Sequence, residues 1–113
     1  MSDCIFCRIA RGEIPSKKVY EDERIFAFHD INPWAPVHFL VIPKKHIASA
    51  MEITPENSAI VAHIFEVAAG LAAENHLESG FRIVCNAGKD GGQTVPHLHF
   101  HLLGGRSMKW PPG

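Results

Sequence analysis

Three histidines at alternate positions are the residues of this sequence best suited to chemistry. His97, His99 and His101 are separated by single apolar residues. Successive side chains of a strand point to opposite faces, so the histidines would share one face and the apolar residues would bury the other. In a helix the same spacing would scatter the imidazoles around the axis. The pattern therefore predicts a strand over residues 97–103 that lines up three imidazoles on an open face.

The distance between the outer histidines, His97 and His101, indicates that the three histidines have different roles. At about 3.3 Å per residue, His97 and His101 lie roughly 13 Å apart, which is too far to share one metal ion, although adjacent members could share one. The middle histidine, His99, is flanked on both sides and is the candidate nucleophile, because neutral imidazole can attack phosphorus near neutral pH. A cationic His101 would then offset the charge of the transferred group.

A glycine-rich loop directly precedes the histidines. Gly91 and Gly92 allow close backbone approach, and consecutive amides there could cradle an anion. Thr94 adds a hydroxyl group, and Asn86, at the end of the preceding predicted strand, adds an amide. Neutral donors beside two histidines suit a phosphate, although a glycine pair on its own more often marks a simple turn.

The elements that must position these groups are segregated along the chain. A short helix is predicted over 5–11, and Thr54 and Pro55 begin a long amphipathic helix that fades near Asn75. The predicted strands cover residues 19–21, 24–29, 37–42, 81–86 and 97–103. Because strands outnumber helices and do not alternate with them, the sequence predicts an α+β fold with an antiparallel sheet.

Composition excludes several classes of protein. The chain has 113 residues, 46% of them hydrophobic and 20% charged, with a net charge of −1. We therefore expect one globular domain over residues 1–113, with little electrostatic support for binding nucleic acid or a membrane surface. No apolar run reaches the roughly 18 residues that span a bilayer, and the opening residues do not resemble a signal peptide. Three cysteines, an odd number, fit a reducing cytoplasm.

The histidine strand also carries a family resemblance. Residues 97–103 fit the HφHφHφφ signature, in which φ is apolar, and the chain resembles the histidine triad (HIT) superfamily along nearly its whole length. Segments 28–31, 36–46, 90–93 and 108–113 resemble its Hint branch, the histidine triad nucleotide-binding proteins. The resemblance implies a five-stranded antiparallel sheet with one long and one short helix. It also implies a homodimer whose two sheets join into one of ten strands.

The resemblance further implies a purine nucleoside phosphoramidase, which hydrolyses the P–N bond linking AMP or GMP to an amine and acts on aminoacyl adenylates. By position, His99 is the nucleophile that forms a nucleotidyl-histidine intermediate, His101 binds phosphate, and His97 and His38 support them. The other phosphate-binding positions are Asn86, Gly92, Thr94 and Val95. The carboxylate that holds the ribose is Asp30, and the purine slot comprises Ile5, Phe6, Ile9, Phe28, His29, Ile31 and Leu40.

Three further positions bear on the resemblance. Trp110 matches a residue that reaches the active site of the partner subunit and affects leaving-group preference. Thr94 stands where family members usually have serine, which keeps the hydroxyl on a stiffer side chain. Pro96 replaces a residue that is often aromatic in this branch, which makes the entry to the histidine strand more rigid.

A pair of cysteines raises a separate question about metal. Cys4 and Cys7 form a CxxC pair, and in many bacterial relatives such a pair joins two histidines, here His46 and His97, to hold a structural zinc ion. A closed Cys2His2 set would be structural rather than catalytic, so no catalytic cofactor is expected. Relatives without these cysteines fold without metal, so the zinc site remains an alternative to a metal-free fold. A redox CxxC would normally lie in a βαβ setting, which the sequence lacks.

Other functions stay open at this point. The chain could be a nucleotide-sensing or scaffolding module with incidental hydrolysis, or a dinucleoside polyphosphate hydrolase, which the Trp-Pro-Pro-Gly ending at 110–113 disfavours. Simple structural roles also exist for three of the matched residues. Asp30 could be only a turn residue, His38 only a core histidine, and Trp110 only a cover for apolar surface.

Overall fold

Five antiparallel strands form one sheet in the computed structural model, which describes residues 4–113. Residues 1–3, on which the expectation about a signal peptide rests, lie outside the described residues. The strands are β1 (Lys18–Glu21), β2 (Ile25–His29), β3 (Val37–Pro43), β4 (Phe81–Val84) and β5 (Phe100–Gly104). Their order across the sheet is β1-β2-β3-β5-β4. The predicted α+β class and antiparallel sheet are confirmed.

Two α-helices flank the sheet, α1 (Ile5–Ala10) and α2 (Ala59–Glu74), with a 3-10 turn at Ala50–Glu52. Cys4 is the N-cap of α1, and its Sγ accepts the backbone N–H of Cys7 at 3.4 Å. Within residues 4–113, no helix combines the length and the apolar character that a membrane crossing requires. The prediction of one short and one long helix is confirmed.

The long helix begins four residues later than the sequence predicts. The sequence predicts Thr54 as the N-cap and Pro55 as the first helical residue, but α2 starts at Ala59. The reason lies in Asn57, whose Oδ1 accepts the backbone N–H of Thr54 at 2.7 Å. This bond folds residues 54–58 into a turn ahead of the helix, because a short amide side chain competes with the helical backbone for local donors.

The sheet separates two hydrophobic cores. The larger core lies under α2 and includes Phe39 and Val41 of β3. The smaller core lies under α1 and includes Leu40 and Ile42 of the same strand. Alternate residues of β3 therefore bury against different helices, which explains why this strand is apolar along its whole length.

Two strands are shorter than predicted at the ends nearest the glycine loop. β4 ends at Val84 rather than residue 86, and β5 starts at Phe100 rather than His97. Before β5 the backbone leaves the ladder, since the N–H of His97 bonds to the carbonyl of Val95 at 2.8 Å. The alternation nevertheless extends through this segment. Leu98, Phe100 and Leu102 all lie in the larger core, as expected.

Candidate active site

The three triad imidazoles lie together on the α1 side of the sheet. The ring centroid of Phe6 is 5.1 Å from that of His99 and 6.0 Å from that of His97, and the His99 and His101 centroids are 5.2 Å apart. The apolar residues between them fill the opposite core. The shared face predicted from the alternation is therefore present in the structure.

The prediction that this face is open is wrong. His97 is fully buried, His99 is 5% exposed, and the side chain of His101 is 20% exposed. The cause is α1, because Phe6 packs edge-on against the first two imidazoles. Exposure increases along the series, so the site opens to solvent at its His101 end.

The hydrogen bond of His99 fixes which of its nitrogens carries the proton. Its Nδ1 lies 2.7 Å from the backbone carbonyl oxygen of His97. A carbonyl oxygen only accepts, so Nδ1 must be the donor and the neutral ring keeps its lone pair on Nε2. The second nitrogen of His99 is therefore a free nucleophilic atom.

A chain of hydrogen bonds fixes the opposite tautomer at His101. The backbone N–H of Trp34 donates to Nδ1 of His38 at 3.1 Å, so neutral His38 carries its proton on Nε2. That Nε2–H lies 2.9 Å from Nδ1 of His101 and donates to it. His101 therefore carries its own proton on Nε2, as a hydrogen-bond donor. Sequence analysis missed Trp34 because it contributes a backbone group, which residue type does not reveal.

His101 is neutral in the folded protein. Burial, followed by repulsion from the neighbouring His99 and His38, lowers the pKa of His101 to about 4. Burial also lowers the pKa of His38, against the opposing effect of the Asp30 carboxylate. In the ligand-free protein His101 is therefore uncharged near neutral pH, and the expectation that it is cationic beside a bound phosphate stays a prediction. A buried imidazole keeps a donor N–H while avoiding the desolvation of a charge.

Asp30 combines the turn role and the site role that the sequence left as alternatives. Its Oδ1 accepts the backbone N–H of Asn32 at 2.8 Å and shapes the loop after β2. Its Oδ2 lies 3.4 Å from Nε2 of His38 and 4.0 Å from Nδ1 of His101. The carboxylate thus stands directly beside the histidine pair.

A cleft of about 680 Å³ runs beside Asp30 and His38. Its walls include four residues of the predicted purine slot, which are Ile9, Phe28, His29 and Ile31. The remaining slot residues, Ile5, Phe6 and Leu40, do not line it. Phe6 and Leu40 are buried in the smaller core behind the cleft, whereas Ile5 is 48% exposed.

The glycine loop is tight, and its own backbone uses some of the predicted amides. A Cβ on Gly91 would come within 2.3 Å of the Ala87 carbonyl oxygen, and Gly92 has a φ of +79°. The N–H of Gly92 donates to the carbonyl of Lys89 at 3.0 Å, and Nδ2 of Asn86 donates to the carbonyl of Gly91 at 2.7 Å. The predicted cradle of consecutive glycine amides is therefore wrong for Gly92.

Two other loop amides are available to an anion. The N–H groups of Thr94 and Val95 have no hydrogen-bond acceptor within residues 4–113. Thr94 is exposed, so its hydroxyl is accessible as well. The loop amides available to an anion thus lie two and three residues beyond Gly92.

Four potential metal ligands converge at the start of α1. Sγ of Cys4 lies 3.3 Å from Nδ1 of His97, and Sγ of Cys7 lies 3.3 Å from Nδ1 of His46 and 3.5 Å from that of His97. All four ligand atoms lie within 4.8 Å of one another. Neighbouring ligands around tetrahedral zinc are about 3.5 Å apart, so the observed spacing fits such an ion.

The tautomer of His97 also fits a metal. Its Nε2 lies 2.8 Å from the carbonyl oxygen of Pro43 and must donate to it, which leaves the lone pair on Nδ1 facing both sulfur atoms. A ligating histidine usually donates its other N–H to such an acceptor. Burial lowers the pKa of His97 to about 4, so this lone pair is not lost to a proton near neutral pH.

A second group of side chains is close enough together to share a metal ion, but one of its nitrogens carries a proton and cannot ligate. One atom each of Asp30, His38 and His101 lies within 4.8 Å of the others. However, the Trp34 N–H holds Nδ1 of His38, so the nitrogen that faces this cluster carries a proton and cannot ligate. We assign this cluster to hydrogen bonding rather than to metal.

Trp110 follows β5 in the C-terminal tail and is 80% exposed. The N-terminal side of the tail is held by Arg82, whose guanidinium donates to the carbonyl of Lys109 at 2.8 Å. The indole is therefore largely exposed next to an anchored backbone.

Comparisons with known proteins agree on one family. A model of the HIT domain matches residues 11–108. A HIT family hydrolase from Legionella pneumophila Philadelphia 1 has a similar crystal structure, with a TM-score of 0.97 and 52% sequence identity, covering 98% of this chain and 100% of that chain. A histidine triad nucleotide-binding protein from Candida albicans gives a TM-score of 0.81 at 34% identity, covering 98% and 85%.

A similar sequence also occurs among plant proteins. The 14 kDa zinc-binding protein of Zea mays is 46% identical over 114 residues, which cover 99% of this chain and 89% of that protein. The domain match spans the triad histidines, His38 and Asp30. The domain match and the similar crystal structure indicate the same family, and the chain belongs to the HIT family.

Proposed function

We propose that this protein hydrolyses the P–N bond of purine nucleoside phosphoramidates, in which AMP or GMP is linked to an amine. The observation that carries the proposal is the bond from Nδ1 of His99 to the His97 carbonyl, which leaves Nε2 as a lone-pair nucleophile. The similar protein from Legionella pneumophila is a hydrolase and that from Candida albicans is a nucleotide-binding protein, which supports hydrolysis of a nucleotide substrate.

The reaction has two steps. Nε2 of His99 attacks phosphorus, a P–N bond to His99 forms, and the P–N bond to the amine breaks as the departing nitrogen takes a proton from solvent. Water then attacks the cationic nucleotidyl-histidine, which releases the nucleotide, restores the neutral imidazole and returns one proton to solvent. Splitting one displacement into two in this way is the usual advantage of a covalent intermediate.

Donors around His99 would stabilise the charge on the transferred group. The Nε2–H of neutral His101 is one such donor, and the free amides and hydroxyl at Thr94 and Val95 are others. Fixed donors in a partly buried site lower the barrier because they need no reorientation when negative charge develops.

The cleft beside the triad would bind the nucleoside. Asp30 lines the cleft and would accept hydrogen bonds from the ribose hydroxyl groups, and the apolar side chains of Ile9 and Phe28 would contact the purine. Ligand sites commonly combine apolar walls with a few polar groups that fix orientation. The leaving amine would then point outward, toward solvent or a second subunit.

A second copy of the chain would complete the site on the leaving-group side. β4 lies at the edge of the sheet, and Phe81 at its start is 45% exposed. Pairing two such edges would give one ten-stranded sheet and would remove an exposed strand edge. In that homodimer the outward Trp110 of one subunit is available to the leaving group of the other.

The four-ligand cluster would hold a structural zinc ion. Cys4, Cys7, His46 and His97 have suitable atoms and spacing, His97 has a suitable tautomer, and the zinc-binding relative from Zea mays supports this assignment. Bound zinc would crosslink α1 to the segments after β3 and before β5, with all four protein ligands in place and no open position for catalysis. The free thiols in the described chain fit a reducing cytoplasm.

Trapping the intermediate tests the proposal. The protein is mixed with a slowly hydrolysed adenosine phosphoramidate, quenched, digested and analysed by mass spectrometry. We expect an adenylyl adduct on the peptide containing His99, and no adduct in His99→Ala. His76→Ala, which alters an exposed histidine, is the matched control and should form the adduct. Preference for diadenosine tetraphosphate over the phosphoramidate would contradict the assigned substrate class.

A further inference from the structure

The side chain of Gln93 makes three hydrogen bonds to backbone groups around the glycine loop. Its Oε1 accepts the N–H of Gly88 at 3.0 Å. Its Nε2 donates to the carbonyl of Ala48 at 2.7 Å and to the carbonyl of Val95 at 2.9 Å. Both amide hydrogens are thus occupied, so the side chain has no N–H left to donate to an anionic ligand.

The hydrogen bonds of Gln93 lie on both sides of Thr94 and Val95, the two residues whose backbone N–H groups are unpaired within residues 4–113. The backbone N–H of Gln93 bonds to the carbonyl of Gly88 at 3.0 Å, immediately before Thr94. Its side chain then holds the carbonyl of Val95, immediately after them. A single residue therefore fixes both ends of the segment formed by Thr94 and Val95, while the amides between remain unpaired within residues 4–113.

The bond to Ala48 ties the loop to a rigid part of the fold. The neighbouring Ile47 is buried, and its carbonyl accepts the N–H of Leu98 at 2.6 Å. The loop and the histidine segment are thus anchored to the same short stretch after β3. Relative movement of the free amides and His99 is restricted at both places.

We infer that Gln93 is a positioning residue for the phosphate group: it does not touch the nucleotide, and it holds the Thr94 and Val95 amides where they bind the phosphate beside His99. This inference rests on the proposed function and extends it to a residue whose side-chain N–H groups are both used within the protein. Preorganised donors bind an anion better than donors that must be ordered on binding.

The test compares AMP with adenosine, which lacks the phosphate. Gln93→Met keeps the length and neutrality of the side chain and removes all three side-chain hydrogen bonds. We expect AMP to bind about tenfold more weakly to this variant, because donors to an anion lose their fixed position, whereas adenosine affinity should change less than about twofold. Isothermal titration calorimetry measures both affinities on the full chain.

A matched control separates positioning from general loss of stability. Nδ2 of Asn75 donates to the carbonyl of Leu71 at 2.8 Å at the end of α2, away from the loop. Asn75→Leu removes a bond of the same kind with a similar change in shape. It should lower the melting temperature as Gln93→Met does, yet leave the ratio of AMP to adenosine affinity at the wild-type value.

The outcomes distinguish this inference from the proposed function. If the wild-type protein prefers AMP but Gln93→Met keeps that preference, or loses adenosine and AMP affinity equally, the positioning role is overturned and the proposed function stands. If the wild-type protein shows no preference for AMP over adenosine, both are overturned. A selective loss of AMP affinity in Gln93→Met, absent from Asn75→Leu, supports the inference.

Discussion

Two substitutions at His38 separate its two hydrogen bonds. An asparagine places its amide oxygen near the position of Nδ1, so His38→Asn can still accept the Trp34 N–H but offers His101 no donor. A glutamine places its amide nitrogen near the position of Nε2, so His38→Gln can still donate to His101 but leaves the Trp34 N–H unpaired. The bonds concerned are 3.1 and 2.9 Å long in the native protein.

The two variants should lose similar stability and different activity. His38 is 4% exposed, so each variant leaves one buried polar group unsatisfied, which costs about 1–3 kcal/mol. That corresponds to a fall in melting temperature of roughly 5–15 °C for a domain of this size. Only His38→Asn removes the hydrogen bond that keeps the proton of His101 on Nε2. Losing a bond of about 1.4–2.8 kcal/mol that favours this tautomer lowers the fraction of protein with His101 protonated on Nε2 about 10- to 100-fold.

The assays are thermal unfolding followed by circular dichroism and steady-state hydrolysis of an adenosine phosphoramidate. We expect kcat/KM to fall about 10- to 100-fold in His38→Asn and less than about fivefold in His38→Gln. Equal losses of activity in both variants would refute the reasoning that His38 acts by fixing the proton position on His101. Full activity in His38→Asn would do the same.

Three further predictions concern metal, packing and pH. Protein purified without chelator should contain about one zinc ion per chain by elemental analysis, and Cys7→Ser should lose the metal and melt at a lower temperature. Leu98→Ala should destabilise the fold by about 3 kcal/mol in urea unfolding, and Leu98→Met by less than about 1.5 kcal/mol, because Leu98 is 1% exposed in the larger core. The stability advantage of the wild-type protein over Asp22→Asn should be greatest between about pH 4 and 6.5, by urea unfolding across pH.

The pH window follows from the signs of two pKa shifts. Hydrogen bonds to Asp22 and Glu66 raise the pKa of His63, so its stabilisation is complete below its unfolded pKa and is lost as the pH rises through the folded value. Burial opposes ionisation of Asp22, but bonds from His63 and Tyr20 hold its pKa well below the usual range. Its stabilisation is therefore lost as the pH falls. An advantage that grows steadily above pH 8 would contradict this pairing.

Periodicity predicted the parts of the fold that depend on burial. The alternation around Leu98, Phe100 and Leu102 correctly predicted the face of the sheet that each side chain occupies, because a half-buried strand has a period of two. The continuous apolar run of β3 correctly predicted a central strand covered on both faces. In both cases the removal of apolar side chains from water determines where the strand lies and which face each side chain occupies.

Features that depend on single hydrogen bonds were not predictable. The Asn57 side chain delays the start of α2, and the Gly92 amide is used inside its own loop. The neutral state of His101 follows from its burial beside His99 and His38, which only the tertiary structure sets. Residue types show which groups a segment contains, but competition among nearby donors and acceptors is decided by geometry.

The candidate metal site was accessible only through resemblance. Cys7 and His46 are separated by 39 positions, and Cys4 and His97 by 93 positions, so no local spacing links them. The structure brings their ligand atoms together because α1 packs over the ends of β3 and the segment before β5. The hydrogen bonds of Gln93 could not be predicted either, because its partners Ala48 and Gly88 contribute backbone atoms, which residue type does not reveal.

The central claim is that the four site histidines have fixed proton positions, with His99 opposite to the others. Long-range nitrogen–proton correlation NMR on protein with labelled histidine rings reads each tautomer directly near neutral pH. We predict that His99 is protonated on Nδ1, with a bare Nε2, and that His38, His97 and His101 are protonated on Nε2. A His99 ring protonated on Nε2, or a doubly protonated His101, would contradict the account.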